Sequence, residues 1–167
     1  MNWNDFGATL LSDVPGSVKP WALANMGEHY PAFGALTYGV QTGKVPFEHA
    51  HGKPVWEYYK DNPVRGANLA KAMAGMSGAV LKTIIDAYDF NPYKKMVEFL
   101  IIDSVIPDDS RNPPHAGKLL DINILAMTTG QERTLSEFKT IIERAGLKFN
   151  RLIETETEIS SIIECGK

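Results

Sequence analysis

Cysteine is almost missing from this chain: Cys165 is the single one, so no disulfide can close within it, and such usage suits a reducing cytoplasm. No basic-then-apolar leader opens the sequence, and apolar runs such as Phe99 to Ile102 fall far short of the ~20 residues a membrane-crossing helix needs. A basic cluster is also lacking. Lys and Arg number 17 against 20 Asp and Glu, for a formal charge of -3, and they are scattered, so no face is offered to a nucleic-acid backbone or an anionic membrane. Repeats and low-complexity tracts are absent. What remains is a chain of 167 residues, 44% hydrophobic, long enough to bury a core as one globular unit or two small ones.

Punctuation by Gly7, Pro15, Gly16 and Pro20 predicts a short helix over Phe6 to Leu11 and then a turn. Trp21 to Val40 is apolar around Pro31 and reads as two helical pieces meeting at the proline. Gly43 to Pro54 reads as a loop, and Trp56 to Tyr59 as an aromatic turn. Asn62-Pro63 then opens the strongest helix, with Leu69, Met73, Met76, Val80, Ile84 and Tyr88 recurring at three and four residues. After a joint at Asn91 to Tyr93, the β-branched run Val97 to Ile106 predicts a strand covered on both faces, as in a parallel sheet. Lys118 to Thr128 has helical spacing. Thr134 with Glu137 forms a capping box for the next helix, which Gly146 ends in a left-handed cap. Leu147 to Ile153 and Ile159 to Cys165 form a hairpin about Glu154 to Glu158.

That order of elements, with the words it contains, resembles the class I S-adenosylmethionine-dependent O-methyltransferases of the plant phenolic and bacterial polyketide type. Leu100-Ile101-Ile102-Asp103-Ser104-Val105-Ile106-Pro107 is similar to the family's fifth sheet strand. Leu120-Asp121-Ile122, Gly130-Gln131-Glu132-Arg133-Thr134, Ala145-Gly146 and Ser161 to Glu164 follow in the family's order. Upstream, Thr42 to Phe47, His51-Gly52, Trp56-Glu57-Tyr58 and Ala72 to Ser77 resemble the stretch that lines the acceptor pocket. The resemblance implies an α/β fold: residues 1–92 as a helical dimerisation and acceptor-pocket region, and residues 93–167 as a truncated Rossmann-like remnant of three strands with its C-terminal hairpin. It implies methyl transfer from S-adenosylmethionine to a hydroxyl of a small aromatic or polyketide-like molecule, in a homodimer.

The departures from the family are as specific as the matches. Where the family has a strand bearing Asp-x-Gly-x-Gly-x-Gly, Lys94-Lys95-Met96 runs directly into Val97, and roughly a hundred residues of a doubly wound domain are skipped. The acidic residue for the ribose hydroxyls and the His-Asp-Trp stretch with its general base are skipped too. No cofactor-binding residue can be assigned. Gly39 to Val45 has the wrong glycine spacing for a phosphate loop.

By resemblance, Asp103 and Glu132 occupy the positions of the two carboxylates that orient the catalytic histidine, here without that histidine. The plainer reading makes them a strand-end carboxylate and a loop glutamate paired with Arg133. Met73, Met76, Asn123 and Met127 match acceptor-contacting positions, although methionines at helical spacing also fill cores. His29, Glu48, His49 and His51 lack the spacing of a metal site and read as solvated polar residues. Trp21 and Trp56 read as core or dimer-interface aromatics. The sequence therefore leaves open an inactive transferase relative, a non-catalytic homodimeric binding module or partner of an intact methyltransferase, and a cofactor-independent enzyme reusing the two carboxylates.

Overall fold

The computed structural model describes residues 5–12, 14, 16–90, 99–109 and 111–167. The joint at Asn91 to Tyr93, the junction between Met96 and Val97, and the expected start of the strand at Val97 lie outside them. The chain divides into two compact units, Met1–Ala79 with Asn123–Gly130, and Val80–Ile122 with Gln131–Lys167.

The first unit is helical: α1 (Asp5–Ala8), α2 (Lys19–Met26), α3 (His29–Gly34), α4 (Leu36–Thr42), α5 (Pro46–His51), α6 (Val55–Asp61) and the start of α7 (Pro63–Ala87). Three expectations are corrected here. Pro31 does not break the helix but sits in the first turn of α3, where no amide hydrogen is needed; the breaks fall at Gly27 and Ala35. The segment read as a loop contains α5, because Pro46 at its start fixes a helical φ without losing a hydrogen bond. The aromatic turn is a helix, α6, which begins directly after Pro54. The core of this unit joins Ala32, Phe47, Val55 and Tyr59 to Ala126 and Met127, the last two on α8 (Ala116–Met127).

The second unit is a three-stranded sheet with helices on its faces. Strands β1 (Phe99–Asp103), β4 (Lys148–Glu154) and β5 (Ser161–Gly166) run in the order β1-β5-β4, both pairs antiparallel. A separate parallel ladder joins β2 (Val105–Ile106) to β3 (Arg133–Thr134). The α/β class is thus as expected. The hairpin of β4 and β5 is present, and α9 (Leu135–Arg144) begins with the Thr134–Glu137 capping box. It ends at Gly146, at φ +71°, where Gly146 N–H donates to the Glu143 carbonyl and Leu147 N–H to that of Ile142.

The run to Ile106 is one strand in sequence and two in space. The Asp103 carboxylate takes the Ser104 N–H at 2.9 Å, a local bond that competes with the ladder and lets the chain leave the first sheet for the second. Coverage on both faces belongs to β5 instead. Its residues alternate, as a pleated strand must: Ile163 and Cys165 pack with Phe138 and Ile142 of α9, while Ile162 packs with Ile84 and Tyr88 at the end of α7. All six residues of β5 are buried, whereas β1 leaves Phe99 57% and Ile102 48% exposed. The reason is position. β5 lies between two strands, and β1 has one strand neighbour among the described residues.

Candidate functional site

Asp103 ends β1 and faces solvent, its Oδ1 held by the Ser104 amide. Glu132 follows α8 in the loop that leads to β3, and is half-buried. Its backbone N–H donates to Asp121 Oδ1 at 2.8 Å, which ties this loop back to α8. Burial, then the charge of Asp103, then that of Asp121 push the Glu132 carboxyl above the usual carboxylate range, with Arg133 opposing them. Like charges around one half-desolvated carboxyl favour its protonated form. A carboxyl raised in this way beside two others is suited to giving and taking a proton.

Sequence pattern assigns Asp121 no role. The signal available is one carboxylate within an otherwise apolar helix turn, but its partner is a backbone amide eleven positions on, and pattern does not reveal such a bond. The expected Glu132–Arg133 ion pair is not formed among the described residues; Arg133 Nη1 instead donates to the Gln131 carbonyl at 3.4 Å. His115 is the one histidine of this unit. Its Nδ1 accepts the Gly117 N–H at 3.1 Å, so it serves the start of α8.

The expected acceptor positions lie in the first unit. Met73 is 47% exposed and Met76 half-buried on α7. Met127 is buried in the core with Ala126. Asn123, one turn before it, keeps a buried Oδ1 with no hydrogen-bond partner among the described residues. A cleft of about 380 Å³ in this unit, lined by Lys19, Leu23, Asn68, Lys71 and Gly75 among others, includes none of the four. A second cleft, of about 490 Å³, lies between Val105–Asp108, His115 and the Glu154–Glu158 turn; neither Asp103 nor Glu132 lines it.

Among the described residues, no cluster of three or more His, Cys, Asp or Glu could hold a metal. Of the histidines read as solvated, His49 is exposed, whereas His51 is half-buried and His29 buried. His49 stacks on Tyr38 with ring centroids 3.9 Å apart. His51 donates from Nε2 to the Glu28 carbonyl at 2.8 Å, and His29 is 3% exposed. An imidazole whose nitrogens find partners loses little by leaving water, which is why His29 and His51 could go inside. Trp56 is 68% exposed and outside the core; Trp21 meets His29 edge-on.

Comparison with known proteins agrees with this architecture. The family described as the O-methyltransferase domain matches residues 33–99 and 98–148, two stretches that meet at the start of β1. Phenazine O-methyltransferase PhzM of Lysobacter antibioticus is 33% identical over 91 residues, covering 54% of this chain and 27% of the relative. The matched stretch thus spans about a quarter of that protein's length. The crystal structure of LaPhzM superposes with a TM-score of 0.86 at 21% identity, covering 96% of this chain and 76% of that one. NcsB1 of neocarzinostatin biosynthesis, solved with S-adenosyl-L-homocysteine and 1,4-dihydroxy-2-naphthoic acid, gives a TM-score of 0.74 at 15% identity, over 99% of this chain and 77% of its own. No helix among the described residues is long and apolar enough to cross a membrane. With more than half its length matched by the family, this chain belongs to the O-methyltransferase domain family.

Proposed function

We propose that this chain carries the acceptor-side helices and the closing strands of an O-methyltransferase without a cradle for S-adenosylmethionine of its own, and that it does not methylate unaided. One observation carries this. The connection from α7 to β1, between Ala87 and Phe99, contains no glycine, and the strand it leads to has only β5 beside it among the described residues. A dinucleotide-type cradle needs a glycine turn at the carboxyl end of a central strand, opening onto a helix N-terminus. The two abutting family matches support the same reading. Residues 1–92 would then be the acceptor and dimerisation region and 93–167 the remnant of the transferase domain. A homodimer in the cytoplasm, with a small aromatic molecule as ligand, completes the reading.

Isothermal titration of the purified chain with S-adenosylmethionine tests it. No heat of binding is expected; tight one-to-one binding would overturn it.

A second reading has its own support. The Asp103, Asp121 and Glu132 group holds one carboxyl above the ordinary range beside two others, an arrangement suited to acid–base chemistry without a cofactor. Under it, any turnover of an aromatic substrate is lost in both Asp103→Asn and Glu132→Gln. Unchanged rates remove it.

A further inference from the structure

Glu28, His29, Tyr59 and Arg65 form a network inside the first unit that the methyltransferase reading does not use. Glu28 and His29 are each 3% exposed and Tyr59 7%. Glu28 Oε2 takes Arg65 Nη1 at 2.5 Å, and its Oε1 takes the Tyr59 hydroxyl at 3.0 Å. Tyr59 Oη lies 2.8 Å from His29 Nε2, and His29 Nδ1 lies 3.4 Å from Asn25 Oδ1. His51 is bound to the Glu28 carbonyl. The chain therefore links α2, α3, α5, α6 and α7.

Counting protons along it exposes a choice. The Tyr59 hydroxyl has one hydrogen, and Glu28, ion-paired with Arg65, is an acceptor; that hydrogen goes to Glu28. His29 Nε2 must then donate to Tyr59. With the Asn25 oxygen turned to the ring, Nδ1 must donate as well, and the ring is an imidazolium. Rotating the Asn25 amide end for end presents its NH₂ instead, and the same bonds fit a neutral ring; oxygen and nitrogen of an amide are interchangeable in shape. Two fully bonded arrangements thus differ by one proton and one amide rotation.

We propose that His29 is a proton-operated latch on the Asn25 amide of the helical unit: neutral, its Nδ1 accepts from the Asn25 NH₂, and protonated, Nδ1 donates to the Asn25 oxygen, while Nε2 donates to Tyr59 in both states. The latch is independent of whether the chain methylates. The groups facing the ring are Asn25 and Trp21 from α2, Glu28 beside it, His51 from α5, Tyr59 from α6, and Arg65 from α7 through Glu28. Burial holds the imidazole below its ordinary 6.5, with Glu28 pulling it up and His51 pushing it down. A histidine so depressed takes up its proton more readily in the unfolded chain. Its contribution is therefore whole above pH 6.5, falls as the pH drops from there toward the folded-state value, and levels off below that.

The test is the ring titration of His29 by NMR in the full chain, with thermal unfolding from pH 7 to 5. The wild-type ring is expected to titrate below 6.5, Asn25→Asp to raise its midpoint, and His29→Gln to lose part of the acid-dependent fall in melting temperature. A wild-type midpoint at or above 6.5 overturns the latch without reference to any variant. So does an unmoved midpoint in folded Asn25→Asp, or an unchanged pH slope in His29→Gln.

Discussion

Glu132 has a carboxyl raised by burial, Asp103 and Asp121, and the sign of its linkage follows. A raised acid favours the folded chain while protonated, so the folded state loses stability as pH rises from the unfolded value through the folded one. Glu132→Gln is therefore expected to stabilise the chain at pH 7 and to lose that gain near pH 4, as measured by urea unfolding at the two values; an equal effect at both would refute the coupling. Glu164 behaves oppositely. Burial pushes it up, but Arg151 and the Tyr88 hydroxyl, at 2.9 Å and 3.0 Å, hold it below the usual range. Tyr88→Phe should cost about 1–2 kcal/mol at pH 7, with a smaller loss once acid has protonated Glu164. Asp103 and Glu132 could be singled out from their words in the sequence, and the structure brings their charges within mutual influence. The bond of Asp121 to the Glu132 amide and the His29 network could not, because a partner 11 or 30 residues away leaves no mark on local pattern.

The helices and strands were legible where short-range chemistry decides them. Thr134-x-x-Glu137 and Gly146 bracket α9 as their side chains require, and the capping box has both of its bonds. Thr134→Ala should cost about 1 kcal/mol in a denaturant melt, and a neutral result would mean that α9 is held by packing alone. Close approach was not legible. At Gly117 an added Cβ would lie 2.4 Å from Ser104 Oγ and 2.9 Å from His115 Nδ1, so Gly117→Ala should lose about 1–3 kcal/mol by overpacking. Helices α5 and α6 escape sequence pattern because each is only six or seven residues long, too short for periodicity to show, and proline marks their starts as readily as it marks a loop.

For the whole molecule, the open edge of β1 has the largest consequence. Phe99 and Ile102 are exposed beside unpaired backbone among the described residues, and Phe99 to Ile102 carries no lysine or proline to discourage pairing. Ile102→Lys is expected to weaken concentration-dependent self-association in light scattering. An unchanged apparent mass across a dilution series would place the contact elsewhere.

By itself the sequence determined the family, the order of elements, the α9 caps and the closing hairpin, since each depends on residues within a few positions or on words kept intact. Only the tertiary structure decided that β5 rather than β1 is the enclosed strand, that the run to Ile106 splits at Ser104, and that Glu28, His29 and Tyr59 share a chain of protons. Burial and hydrogen-bond partnership depend on which segments meet in space, and hydrophobic pattern records only that a residue is fit to be buried.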